Sequence, residues 1–174
     1  MKLIAEKKSA RDKLDALRLV RADGSSTACA LPRQGTLPHD LIHYVVESRL
    51  PFKSGFLGLV AAGADAEFVL KVVHDKQNPQ VETEAVQVES IVEALQTQLW
   101  AGAFDRDSFV EAAALATAAR GKPAFPFDGV DAQAVYDECL RLLDQWNAVP
   151  WYGKLELEFR AGGQGAVPQR KTGR

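Results

Sequence analysis

The sequence is poor in cysteine, methionine and histidine, and it carries no excess of charge. Its two cysteines, Cys29 and Cys139, stand far apart in a chain of 174 residues. They form no CxxC pair and no framework of bridges, so reduced thiols are expected. A net charge of −2, from 21 basic and 23 acidic residues, gives no electrostatic footing for nucleic acid or an anionic membrane. Basic residues gather at Lys7, Lys8, Arg11, Lys13, Arg18 and Arg21, and again at Arg170, Lys171 and Arg174. They read as solvated strand faces and a tail. No apolar run approaches the roughly 20 residues needed to cross a bilayer. The opening Met1-Lys2-Leu3-Ile4-Ala5-Glu6-Lys7 turns charged at once and has no apolar signal core. A cytoplasmic protein without a nucleic-acid or membrane partner is the expectation.

What is present is an ordinary globular balance, 47% apolar and 25% charged, in a length that suits one domain with a proper core. The first third reads as strand. Lys2–Glu6 is one candidate. Leu17–Arg21 and Thr27–Leu31 flank Asp23-Gly24-Ser25-Ser26, and Asp-Gly between two such runs is a hairpin signal because the turn needs residues that tolerate positive φ. The pairing directs Leu17, Leu19, Cys29 and Leu31 inward. Near the other end, Lys154–Arg160 alternates cleanly, with Leu155, Leu157 and Phe159 on one side.

Helices occupy the middle. Pro38 suits a helix start and Pro51 a stop, with Leu41, Ile42, Val45, Val46 and Leu50 on the apolar face. Gly55–Gly63 reads as a short buried helix; it lacks the Gly-Lys-Ser/Thr ending of a phosphate loop. Phe68–Val73 fits strand or helix, and His74–Pro79 reads as a loop. Three helices follow: about Glu82–Trp100, one capped at Ser108-Phe109-Val110-Glu111, and Ala132–Trp146 capped by Asp131. Cys139 falls on the apolar stripe of the last. The pattern predicts an α+β domain over 1–160, a small, mostly antiparallel sheet carrying four to five helices, with a disordered tail at 161–174.

The densest chemistry lies in Leu37-Pro38-His39-Asp40-Leu41-Ile42-His43-Tyr44-Val45-Val46-Glu47. Histidines at i and i+4 can share a metal ion, because successive helical turns stack their side chains. His39-Asp40-Leu41-Ile42-His43 resembles the His-Glu-x-x-His zinc-protease helix, with Asp40 in place of the basic Glu and one methylene short of it. No Gly and third His follow at metzincin spacing. Glu89 and Glu93, one turn apart, are candidates for a third ligand; Glu47 is a local alternative and His74 a remote one. On a helical wheel His39, His43 and Glu47 lie at the margin of the apolar face.

The Gly35–Glu47 segment, the following Gly55–Gly63 and the preceding Arg21-Ala22-Asp23-Gly24-Ser25 resemble a family of small uncharacterised bacterial proteins. The likeness covers residues 17–63. It implies a bacterial, cytoplasmic, single-domain protein and supplies no catalytic residue.

Three readings fit the histidine helix. One is a metal-assisted, hydrolase-like site for zinc or another divalent ion, with His39 and His43 as ligands, Glu89, Glu93 or Glu47 as a third, and Asp40 as general base. Another is a metal-free pocket. The last is a helix whose histidines only pack and hydrogen-bond, with Asp40 favoured near the N-terminus by the helix dipole. A competing function class is a protein-interaction or small-ligand module, or a homodimer, in which Trp100, Trp146, Trp151 and Tyr152 serve as anchors.

Overall fold

A computed structural model describes residues 1–162. The tail expected at 161–174 lies, from residue 163 onward, outside the described residues. Three strands open the chain: β1 (Lys2–Glu6), β2 (Leu14–Val20) and β3 (Ser26–Pro32). Six helices follow: α1 (His39–Arg49), α2 (Phe56–Ala61), α3 (Ala66–His74), α4 (Thr83–Ala101), α5 (Arg106–Ala119) and α6 (Ala132–Ala148). Strand β4 (Lys154–Glu158) closes the order. Among the described residues no helix is long and apolar enough to cross a membrane.

The sheet is antiparallel throughout, in the order β3-β2-β1-β4. Asp23 and Gly24 form the β2–β3 turn. Asp23 Oδ1 accepts from the Ser25 amide and hydroxyl, and Gly24 takes a φ of +84° that a side chain would oppose. Alternation then directs Leu3, Ala5, Leu17, Leu19, Cys29 and Leu31 into the core, as expected for the hairpin. There they join one apolar cluster with Leu41, Val45 and Val46 of α1 and Val88, Ile91 and Leu95 of α4. Burial of each large apolar side chain in it is worth about 1.5–3 kcal/mol.

The architecture is the α+β arrangement expected, an N-terminal hairpin and a C-terminal strand carrying helices. Phe68–Val73, ambiguous by pattern, is helical, which brings the helices among the described residues to six. The cause is visible locally. Asp65 accepts a hydrogen bond from the Phe68 amide at 3.0 Å and caps the segment, while Val69 and Val73, one turn apart, are both buried. His74 is therefore the last residue of a helix and not part of a loop. The capping box expected at Ser108 is also displaced. Asp105 is the N-cap, and the Ser108 amide donates to its carboxylate at 2.7 Å. Asp131 caps α6 as expected, accepting from the Ala134 amide at 3.0 Å.

Candidate metal centre

Pro38 opens α1, its carbonyl accepting from the amides of Leu41 and Ile42. The helix is enclosed more widely than its apolar residues alone imply. Packing against α4, α6 and α2 buries everything from Asp40 to Ser48 except Tyr44. His43 and Glu47 are therefore fully buried, at 0% exposure, and not at the margin of the apolar face. The wheel misplaced them because it counted only the apolar side; α2 closes over the polar flank. The Phe56 ring of α2 meets His43 edge-on, with centroids 5.4 Å apart.

These buried groups form a row. His43 Nδ1–H donates to Glu47 Oε1 and Nε2–H to Glu89 Oε2, each at 3.1 Å. Glu47 is anchored in turn by main chain: Oε1 accepts from the Leu57 amide at 3.1 Å and Oε2 from the Gly58 amide at 2.9 Å. Gly55 leaves room for this approach, and Gly58 for the neighbouring Lys53 main chain. A Cβ on Gly55 would lie 2.6 Å from Glu47 Oε2, and one on Gly58 would collide with the Lys53 carbonyl. Burial alone favours a neutral His43 ring. The carboxylates on both sides reverse this and push its pKa up to about 10, so the ring carries both protons.

The second oxygen of Glu89 faces the other histidines. Its Oε1 lies 3.1 Å from His39 Nε2 and 3.3 Å from His74 Nε2. Burial would raise the Glu89 carboxyl, but bonds from His39, His43 and His74 hold it well below the ordinary carboxylate value. The same bond raises His74, against the opposing effect of burial. Arg120 steadies the turn that bears His74, donating to the carbonyls on either side of it, Val73 and Asp75, at 2.9 and 3.3 Å.

His39, His74 and Glu89 each offer a ligating atom, and these atoms lie within 4.8 Å of one another. They line a cavity of about 420 Å³ between β3, α1, α3 and α4, whose walls also include Asp40, Gln34, Gln96, Leu70, Lys76 and Glu93. Comparison with family models, curated proteins and solved structures finds no match. The residues of the site alone therefore carry any functional reading.

The expected ligand pair, His39 and His43, has its ring centroids 5.0 Å apart, but the two meet different oxygens of Glu89. His43 has both ring nitrogens committed to carboxylates and turns neither toward the cavity. Glu47 is spent on His43 and main chain. Glu93 reaches the cavity wall but pairs with Lys76 at 2.9 Å. His39 and Glu89 do converge, and the partner that completes the trio is His74, the remote alternative. Its signal in the sequence was the Asp65 cap with Val69 and Val73 one turn apart, which together extend a helix to His74.

Asp40 also reaches the cavity. It is only 4% exposed, and burial raises its carboxyl while the three histidines partly offset this. Cys29 Sγ sits 3.9 Å from its Oδ2, and burial pushes that thiol above its usual range. Cys139 is fully buried, its thiol pushed up to about 12, so neither cysteine has the depressed pKa of a nucleophile. Of the four aromatic residues considered as anchors, Trp146 is buried, while Trp100, Trp151 and Tyr152 are more than half exposed. Trp100 donates to the Gln34 carbonyl at 2.9 Å, and Trp151 lies under the Arg33 guanidinium at 4.9 Å. Tyr152 is 70% exposed.

Proposed function

We propose that the protein binds one divalent metal ion, zinc or an ion of similar preference, through His39, His74 and Glu89. The observation that carries this reading is the convergence of two imidazole nitrogens on a single carboxylate oxygen. Zinc bonds of about 2.0–2.2 Å at tetrahedral angles set ligand atoms about 3.3–3.6 Å apart. The contacts of 3.1 and 3.3 Å to Glu89 Oε1 are close to that edge. Two histidines and one glutamate is a donor set that catalytic zinc uses with a position left open. The open position here would face the cavity.

Bound there, such an ion supplies Lewis acidity toward a small ligand in the cavity, which supports a hydrolase-like role. Asp40 is the nearby group able to hold a proton at that wall. Gln34 and Gln96, which hydrogen-bond to each other, offer amide groups for orienting a polar ligand. The likeness of residues 17–63 supports a bacterial, cytoplasmic protein, and the reading needs neither nucleic acid nor membrane.

Elemental analysis of protein purified without a nickel column tests the reading, together with calorimetric titration of Zn²⁺ into metal-stripped protein. One equivalent should bind. His74→Ala and His39→Ala should each lose most of the affinity, whereas Glu93→Gln should retain it. Wild-type protein that emerges metal-free and ignores added Zn²⁺ would sink the proposal.

A further inference from the structure

We infer that Glu47 and His43 form a buried positioning unit that fixes the Glu89 carboxylate, so that one of its oxygens is presented to His39 and His74. This rests on the metal site proposed above and adds residues that touch neither metal nor cavity. Glu89 has two oxygens with separate duties. Oε2 is taken by His43, and Oε1 is the one that meets His39 and His74. Glu89 is thereby held as a one-oxygen ligand with its rotation stopped. His43 is itself oriented by Glu47, and Glu47 by the amides of Leu57 and Gly58. The chain of contacts runs from rigid main chain to the site without meeting solvent, since His43 and Glu47 are 0% and Glu89 3% exposed.

Packing does not require such a row. The α1–α4 contact already has Leu41, Val45, Ile91, Val92 and Leu95 in one apolar cluster. Burying ionisable groups in the same contact costs desolvation that apolar residues of similar volume would not incur. What the row provides, and apolar side chains could not, is a fixed direction for one carboxylate. Outer partners of this kind orient ligands and typically govern metal affinity by 10- to 100-fold.

The experiment compares full-length wild type with Glu47→Gln, which keeps the side chain's shape and removes its charge. Zn²⁺ affinity is read by chelator competition and ligand geometry by the visible spectrum of the Co²⁺ form. The expected result is Zn²⁺ binding weakened about 10- to 100-fold and a changed Co²⁺ spectrum, with unaltered far-UV circular dichroism. A folded Glu47→Gln protein with wild-type affinity and spectrum would overturn the positioning role while leaving the metal site standing. A wild type that takes up no metal would overturn the metal site, and this inference with it.

If Glu47→Gln does not fold, the wild type decides by ¹⁵N NMR of the histidine rings in the Zn²⁺ form. Two rings should show a ligated nitrogen, and His43, whose nitrogens both face carboxylates, should show none. A ligated His43 nitrogen would overturn the inference.

Discussion

Two polar clusters flank the connection from β3 to α1, and Gln34 lines the cavities of both. One is the Glu47–His43–Glu89 row with His39 and His74. The other joins Asp15, Arg33, Lys7 and Trp151. In the second cluster each charge ends on a partner that completes it. Asp15 accepts from Arg33 Nε and Nη2 at 2.9 and 2.6 Å and from the Lys8 amide at 2.8 Å. Lys7 Nζ donates to the carbonyls of Val149 and Asn147 at 2.8 and 3.2 Å and sits 5.1 Å from the Trp146 ring centre. These bonds tie the strands to the turn between α6 and β4, and a quarter of the Arg33 side chain remains in solvent. The first cluster is buried more deeply and is less complete. Two rings crowd one carboxylate oxygen, Glu89 Oε1, beside a cavity. A polar cluster that closes on itself reads as structure; one that converges on an open point reads as a site.

The comparison can be broken from either side. The largest effect should come from His43→Ala, which leaves Glu47 and Glu89 facing each other without the intervening cation. Loss of one member of a buried ion pair costs about 3–5 kcal/mol. Urea unfolding should show a drop of that size, and a change below about 1 kcal/mol would mean that the row is not charged as described.

Asp15→Asn comes next, at about 1.5–3 kcal/mol for hydrogen bonds to a charged partner. Burial by itself would raise the Asp15 carboxyl, but Arg33 and the Lys8 amide hold it below its ordinary value of 3.8. A carboxyl depressed in the folded state stabilises above its unfolded pKa and loses that contribution as pH falls through the folded value. The gap between wild type and Asp15→Asn should therefore be full at neutral pH and shrink below about pH 4. Zn²⁺ affinity should not move.

Gly58→Ala should cost about 1–3 kcal/mol through its collision with the Lys53 carbonyl. Unlike Asp15→Asn, it should also weaken Zn²⁺ binding, since it displaces the amide that anchors Glu47. The smallest effect belongs to Trp151→Ala. Removing a half-exposed stacking partner of Arg33 should cost about 0.5–1 kcal/mol by thermal or urea unfolding, with no effect on metal.

Much of the scaffold was legible in the sequence because its signals are local. Asp23-Gly24 gave the hairpin, Pro38 and Pro51 bracketed α1, and the alternation of Leu155, Leu157 and Phe159 gave β4. The candidate site was legible in half. His39 and Glu89 could be named as partners because helix spacing and a carboxylate on a second helix are visible in one dimension. The depth of His43 and Glu47 was not, since it depends on α2 folding back over the polar flank of α1. Glu89 and Glu93 are one turn apart and equal on paper; the rotation of α4 against α1 decides which faces inward. His74 was obscured by a short apolar run that suits strand and helix alike.

The pairing of β4 with β1 matches Lys2 with Glu158 and Glu6 with Lys154, so all six helices intervene between two neighbouring strands. Closing a loop of that length costs about 4 kcal/mol of chain entropy before any contact across it is gained. Contacts this remote in sequence slow folding and are made once the intervening chain has collapsed. Strand β4 should therefore dock late, onto a helical layer already formed. Truncating Leu157 should then leave the refolding rate nearly unchanged and appear as faster unfolding. On that ordering, the histidine cluster is assembled before the sheet gains its last strand.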